Sequence, residues 1–257
     1  MHRPARSVVR AFAAAFFLVQ AGNAAATEIK IPSAVGMKAV LDELGPTFER
    51  ASGHMLQIEF GNLGTVLKRV EGGETADVVI LPRQGIDRFV GKGTASSANV
   101  TVLAQAGIGL AVRKGALKPD IATPQALKHT LLAAKSITYL DPAGGGTSGV
   151  HFAKVMDRLG IADEMKSKTV LHANAHAAGI LIANGEAEIG VNLIQELMSL
   201  PGIDVIGPLP DGLQNMIVYA AVIMTGVKDA AAAKALIDFL RIPEAAAVIK
   251  AQGMEPD

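Results

Sequence analysis

The segment Asp141-Pro142-Ala143-Gly144-Gly145-Gly146-Thr147-Ser148-Gly149 lies between an apolar run typical of a strand and an amphipathic run typical of a helix. A strand that ends in Asp-Pro, passes through glycines and restarts as a helix at Thr147 or Ser148 leaves backbone N–H groups unpaired and pointing outward. The glycines let a ligand approach the backbone, and the helix start adds about half a positive charge. The segment therefore predicts an anion site that needs no cationic side chain.

Two other interpretations of this segment were weighed. A nucleotide loop of the Walker type ends in Gly-Lys-Ser/Thr, and no lysine follows the glycines here, which argues against nucleotide hydrolysis. The run Gly146-Thr147-Ser148-Gly149 also lacks the Gly-x-Ser-x-Gly register of a nucleophile elbow. An ordinary strand-to-helix turn remains an alternative for a glycine-rich loop taken alone.

The first 26 residues predict a signal peptide. Arg3, Arg6 and Arg10 precede an apolar run over 11–19, and the alanines at 24–26 offer a small-residue cleavage site near Ala26. The apolar run is much shorter than the roughly 20 residues that span a bilayer. We therefore expect export to the periplasm with cleavage near Ala26, the alternative being an uncleaved anchor.

Composition limits the function further. Without residues 1–26, 21 basic and 24 acidic side chains remain, a net charge of −3, which argues against nucleic acid as a partner. The chain contains no cysteine, so disulfides and thiolate metal sites are excluded, and no metal or organic cofactor is expected. Tyr139 and Tyr219 are the only tyrosines and tryptophan is absent, so polar groups and backbone must recognise the ligand.

Short β runs alternate with helical runs along the rest of the chain, which predicts an α/β fold with parallel sheets. The predicted strands cover 28–32, 56–60, 76–81, 108–112, 136–140, 168–171, 187–191, 203–206 and 216–224. The predicted helices cover 36–51, a run from the 61–65 loop through Val70, 124–134, 149–159, 177–184, 194–200, 229–240 and 243–252. Two such α/β units predict two lobes with a ligand cleft between them.

Ligands of open parallel sheets bind at the carboxyl ends of the strands. The loops 33–36, 61–65, 141–149 and 192–195 occupy such positions, although each is also compatible with an ordinary connection. These loops define the candidate ligand-binding residues: Ser33, Ala34, Asn62, Gly64, Thr65, Gly146, Thr147, Ser148, Asn192 and Gln195.

Several segments together resemble the type II periplasmic solute-binding proteins related to the molybdate-binding protein. The segments are Pro32-Ser33-Ala34, the run from Gly64 to Gly73 that leads to Ala76-Asp77-Val78-Val79-Ile80, and the ending Ala235-Leu236-Ile237-Asp238-Phe239-Leu240 with Pro243-Glu244-Ala245-Ala246. The resemblance implies two lobes, the first from 27–108 plus 217–257 and the second from 109–216. It also implies a monomeric protein that binds a small anion and delivers it to an inner-membrane ABC permease.

The expected ligand differs from molybdate. In the family, two serines from the first two strand-to-helix loops and a tyrosine from the later lobe contact the oxyanion. Here Ser33 is followed by Ala34, the second loop has Gly64-Thr65, and 192–195 contains no tyrosine. These departures and the extra amides favour a carboxylate-bearing or unusual anion, while an oxyanion remains open.

A branch of the same family resembles aconitate isomerase, so an enzyme is the second hypothesis, although a binding protein is favoured. Such an enzyme removes an allylic proton and returns it at another carbon, which requires a base. His176 and Asp141 are the catalytic candidates, with His172, Glu186 and Glu196 as further carboxyl and imidazole groups. The competing expectations are that Asp141 caps its own turn and that Glu186 and Glu196 lie on solvated faces.

Overall fold

The computed structural model describes residues 26–257, so the predicted signal peptide lies almost entirely outside the described residues. Within this range, no helix combines the length and apolar character needed to cross a bilayer. The strands are β1 Glu28–Ala34, β2 Met55–Gly61, β3 Val78–Pro82, β4 Ala95–Ala106, β5 Ile108–Arg113, β6 Ile137–Leu140, β7 Thr169–His172, β8 Ile189–Leu193, β9 Ile203–Pro208, β10 Ile217–Met224 and β11 Glu255–Pro256.

Helices pack on these strands as the predicted alternation requires. They are α1 Lys38–Ser52, α2 Leu63–Glu71, α3 Arg83–Gly91, α4 Pro124–Ala133, α5 Thr147–Leu159, α6 Ala162–Met165, α7 Ala175–Ala183, α8 Ile194–Met198, α9 Ala230–Phe239 and α10 Pro243–Ala251. Short 3-10 turns cover Val35–Met37, Pro142–Gly144 and Lys166–Lys168.

The strands form two sheets, which confirms the predicted two-lobed α/β class. The first sheet has the order β11-β4-β10-β3-β1-β2 and the second has the order β7-β6-β8-β5-β9. Parallel pairs join β1 to β2 and β3, and β6 to β7 and β8. We call each sheet with its helices a lobe.

The sheets are mixed, whereas the sequence predicts mostly parallel pairing. β10 pairs antiparallel with β3 and β4, and β5 pairs antiparallel with β8 and β9. The reason is the double crossing of the chain between the lobes. A strand that arrives from the other lobe starts at the cleft, where the parallel strands end, and therefore runs against them.

The sequence prediction also missed four elements, namely α3, α6, β4 and β11. β4 carries the polar run Ala95-Ser96-Ser97-Ala98-Asn99, which is mostly exposed and shows no clean alternation of apolar residues. α3 follows β3 directly, so no turn residues separate them. Its first residue, Arg83, pairs with Asp87 at 2.7 Å on the surface.

Local sequence explains how the helices begin and end near the cleft. Asn62 caps α2 by accepting a hydrogen bond from the Thr65 backbone N–H at 2.8 Å. Gly53 ends α1 in the left-handed conformation with a φ of 76°. α5 starts at Thr147, as predicted, and Asp141 accepts from the Ala143 N–H at 2.9 Å, so it caps its own turn.

Two segments carry the chain between the lobes. Gly107 separates β4 from β5, and residues 209–216 separate β9 from β10. The side-chain amide of Gln214 joins both crossings, since it accepts from the Ile108 N–H at 3.0 Å and donates to the Ile108 carbonyl at 2.9 Å. Ile108 itself pairs with Leu193 in the second sheet. The exact lobe boundaries stay a prediction.

Candidate functional site

A cavity of about 170 Å³ lies between the lobes at the carboxyl ends of the parallel strands. Its wall comes from the junctions that follow β1, β2, β3, β6, β7 and β8, together with one residue of β10. The lining residues are Ala34, Val35, Gly36, Phe60, Gly61, Asn62, Leu63, Pro82, Leu140, Gly146, Thr147, Ser148, Ala173, Asn174, Ala175, Leu193, Glu196 and Tyr219.

This placement directs the partial positive charge of several helix amino ends at the cavity. The amino ends of α2, α3, α5 and α7 reach its wall, and each of these helices has at least nine residues. Helix amino ends carry partial positive charge and free N–H groups, which favour an anion. No Lys, Arg or His of residues 26–257 lines the cavity.

Larger depressions exist elsewhere on the surface, at about 510 Å³ and 500 Å³. The first is lined by Arg113, at the end of β5, and by Ile189, at the start of β8. The second is lined by Asp77, just before β3, and by Met224, at the end of β10. Both therefore lie at the edges of the sheets opposite the cleft, where no helix amino end follows a parallel strand.

The structure brings part of the predicted ligand-binding set to the cavity wall. Ala34, Asn62, Gly146, Thr147 and Ser148 line it. Ser33, Asn192 and Gln195 are buried behind the wall, and Thr65 is exposed on α2.

Gly64 and Ser33 have other contacts than those expected of ligand-binding residues. A Cβ atom on Gly64 would lie 3.1 Å from the Gly144 carbonyl oxygen, so Gly64 contacts the glycine loop of the other lobe. The Ser33 hydroxyl donates to the Ala34 carbonyl at 3.3 Å. Both residues therefore support the cleft from outside the cavity.

A buried polar cluster lies at the second-lobe wall. The Ser148 hydroxyl donates to Asn192 Oδ1 at 2.8 Å, and the Leu193 N–H donates to the same oxygen at 2.8 Å. Asn192 Nδ2 is buried and has no hydrogen-bond partner among the described residues. Buried polar groups are normally paired, so this N–H₂ group marks a place where a partner is expected.

Sequence reasoning missed Tyr219, which supplies the phenol of the cavity. Tyr219 lies on β10 opposite Pro82 of β3, so strand register places it at the cleft. Its hydroxyl accepts from Gln195 Nε2 at 3.2 Å. A Cβ atom on Gly36 would lie 2.1 Å from this hydroxyl, so a glycine at 36 is required for the close approach. Tyr219 is one of two tyrosines in the chain, which was the available signal.

The expectation that Glu196 lies on a solvated face is wrong. Glu196 is in the first turn of α8 and lines the cavity. Burial raises the pKa of Glu196 to about 7, and the side chain of Asn192 opposes that rise. Burial and, secondly, the charge of Glu196 raise the pKa of Tyr219, so the phenol stays neutral. No local motif marks Glu196. Its position at the cavity follows only from the packing of β8 and α8 in the folded lobe.

The other catalytic candidates lie away from the cavity. His176 is exposed and lines an adjoining cavity of about 300 Å³. Glu186 is exposed, as expected. His172 is buried at the end of β7, and burial lowers its pKa to about 4. Within residues 26–257, no cluster of His, Asp and Glu is arranged to hold a metal ion.

Two lobes that place an anion cavity between the carboxyl ends of their strands define the class of two-lobed periplasmic binding proteins. The chain belongs to the bacterial extracellular solute-binding protein family, whose family model matches residues 29–255.

Relatives include both enzymes and binding proteins. The chain is 32% identical to aconitate isomerase from a Pseudomonas species over 236 residues, covering 90% of this chain and 88% of that protein. It is 28% identical to the molybdate-binding protein ModA of Azotobacter vinelandii over 238 residues, covering 90% of each. Among solved structures, the substrate-binding domain of a putative molybdenum ABC transporter from Clostridium difficile superposes with a TM-score of 0.72 at 17% identity, covering 90% of this chain and 99% of that one.

Proposed function

We propose that this protein is a periplasmic solute-binding protein that holds a small carboxylate-bearing anion between its lobes and delivers it to an ABC permease. The observation that carries the proposal is the convergence of helix amino ends on a cavity that no cationic side chain of residues 26–257 lines. Neutral donors suit an anion whose charge is spread over several oxygens. Ser148 lines the second-lobe wall and holds Asn192 through its hydroxyl, while the free backbone N–H groups of the helix amino ends supply the neutral donors.

The binding test compares anions by thermal shift and calorimetry. We expect saturable binding of at least one of fumarate, citrate, cis-aconitate and trans-aconitate, and weaker binding of molybdate, tungstate and sulfate. Ser148→Ala removes the hydroxyl that holds Asn192 behind the wall, so we expect about a fivefold loss of affinity, since one hydrogen bond contributes about 1 kcal/mol.

Thr65→Ala is the matched control for Ser148→Ala, because Thr65 is exposed and outside the cavity. It should bind like the wild type. Absence of binding with every anion of the panel would contradict the proposed function, and equal losses in the two variants would contradict the assignment of the wall.

A second candidate function is isomerisation of an aconitate-type tricarboxylate. The observation that favours it is a titratable carboxyl in the cavity wall, since Glu196 has a pKa of about 7 and a general base works best near the operating pH. The relative named aconitate isomerase supports the same substrate class. In this reaction Glu196 takes a proton from the methylene carbon beside the double bond, the double bond shifts, and the proton returns at the former vinyl carbon.

Proton NMR distinguishes an isomerase from a binding protein. Purified protein is incubated with trans-aconitate or cis-aconitate in D₂O. An isomerase interconverts the two acids, and Glu196→Gln should abolish turnover while Glu186→Gln, which changes an exposed carboxyl, should not. Retention of the compound without conversion at high protein concentration removes the enzyme hypothesis and leaves the binding function.

A further inference from the structure

Glu196 is an acidic group inside a cavity built for an anion. It also lines the adjoining cavity of about 300 Å³, so it lies in the wall between the two spaces. An ionised carboxylate in this wall would face the bound anion across a cavity of about 170 Å³. Like charges repel strongly under those conditions.

The other charged groups around Glu196 do not neutralise it. From α1, Lys38 and Asp42 line the adjoining cavity and pair with each other at 2.5 Å. α7 contributes His176 to the same cavity, and β10 contributes the neutral phenol of Tyr219 to the central one. The strands β5, β8 and β9, which also pack on α8, add no ionisable side chain to either cavity.

We propose that Glu196 takes up one proton when the anion enters, so that the bound state pairs the anion with a neutral carboxylic acid. This inference rests on the proposed function, because it requires that an anion binds in the central cavity. The neutral acid then donates a hydrogen bond to the ligand, and the buried Asn192 side chain lies behind the wall beside that acid. An ionised carboxylate only accepts hydrogen bonds and could not make this contact.

Proton uptake by Glu196 makes the affinity for the anion depend on pH. Below neutral pH the acid is already protonated, and an anion enters without a proton transfer. Above pH 7 each binding event must bring a proton from the buffer, so affinity falls as pH rises. A fully deprotonated ligand is therefore bound progressively less well in alkaline solution, by up to about tenfold per pH unit.

Calorimetry with trans-aconitate measures the proton directly. Binding heats are recorded at pH 8 in buffers with different ionisation enthalpies. The slope of the binding enthalpy against the buffer ionisation enthalpy gives the number of protons taken up per anion. We expect close to one for the wild-type protein, much less at pH 6, and close to zero for Glu196→Gln. The affinity of Glu196→Gln should be nearly independent of pH between 7 and 9.

Glu186→Gln serves as the control for the loss of one acidic group, and it should take up protons as the wild type does. A cooperative thermal unfolding transition, measured for each variant, shows that the variant is folded. Wild-type binding at pH 8 without proton uptake, or unchanged uptake in Glu196→Gln, overturns the inference while leaving the anion-binding function intact. Absence of binding by trans-aconitate and by every other anion of the panel overturns the proposed function itself and this inference with it.

Discussion

Glu196 links the stability of the free protein to pH, because its carboxyl is partly withdrawn from water in the cavity wall of the folded chain and solvated in the unfolded one. Its pKa rises from about 4.5 to about 7 on folding. The folded state therefore holds more protons between these values, and stability falls as pH rises through this window. The shift corresponds to roughly 3 kcal/mol as an upper limit.

Glu196→Gln should remove this dependence. We expect the difference in unfolding free energy between variant and wild type to change by up to about 3 kcal/mol in favour of the variant between pH 4 and pH 8. Urea unfolding at several pH values measures it. A constant difference across this range would show that Glu196 is solvated.

His172 acts on stability in the opposite direction. Burial lowers its pKa from 6.5 to about 4, so the folded state holds fewer protons in that window. The stability that the neutral imidazole contributes is present above pH 6.5 and is lost as pH falls through 4. The shift corresponds to roughly 3 kcal/mol as an upper limit, and we expect about 2 kcal/mol of it to appear in the stability.

His172→Phe keeps an aromatic ring of similar size and removes the titration. Relative to wild type, the variant should become more stable by about 2 kcal/mol between pH 7 and pH 4. His176→Phe is the matched control, because His176 is exposed and lies four residues later. This substitution should leave the fall of the unfolding free energy at acid pH unchanged. An equal fall of the unfolding free energy at acid pH in wild type and His172→Phe would contradict the assignment of this pH dependence to His172.

At the scale of elements, the glycine loop is held by backbone packing as well as by ligand chemistry. A Cβ atom on Gly149 would lie 1.9 Å from the Leu140 carbonyl oxygen, so α5 lies directly against the end of β6. A Cβ atom on Gly144 would meet nothing closer than Asn62 Nδ2 at 3.8 Å. Only the first position requires glycine for close approach.

Gly149→Ala and Gly144→Ala should therefore differ sharply. We expect Gly149→Ala to lower the unfolding free energy by on the order of 1–3 kcal/mol, because α5 must move away from β6. Gly144→Ala should stay within about 0.5 kcal/mol of wild type. Thermal or urea unfolding of both variants checks this, and similar stabilities would show that the loop adjusts at no cost.

The same elements show how far the sequence could predict the structure. Strands such as β1 and β3 and helices such as α1 carry clear apolar periodicity and end in turn residues, so they were predicted closely. β4 was missed because its first half is polar and exposed, and its place in the sheet comes from pairing with β10. Such a pairing depends on residues more than a hundred positions apart, which local pattern does not encode.

Some residues of the candidate site follow from local sequence pattern, and others depend on long-range packing. Asn62 and Thr147 were predictable, because they follow strands and begin helices. Tyr219 and Glu196 reach the cavity through the pairing of β10 with β3 and the placement of α8 behind β8. Their burial, which decides their chemistry, arises only after both lobes are assembled.

At the scale of the whole molecule, the two lobes contact each other at the crossing segments and also at the mouth of the cleft. The Gln214 side chain joins the two crossing segments through hydrogen bonds to the N–H and the carbonyl of Ile108. Across the mouth of the cleft, Gly64 of α2 approaches Gly144 and Gly145 of the other lobe. Because both sides present glycine, the backbones come close together without side chains between them. We expect this contact to form when the lobes close on a ligand.

Gly64→Phe places a wedge at this contact. The ring has no room between α2 and the glycine loop, so the lobes should be held apart, and anion affinity should fall at least tenfold. Phenylalanine is a better helix former than glycine, so the unfolding free energy should change little. Small-angle X-ray scattering with and without ligand checks closure, and the ligand-induced contraction expected for the wild type should be absent. Lys68→Phe, an exposed position on the same helix, should contract and bind normally. Equal contraction and affinity in Gly64→Phe would mean that the lobes enclose the anion without bringing these two backbones together.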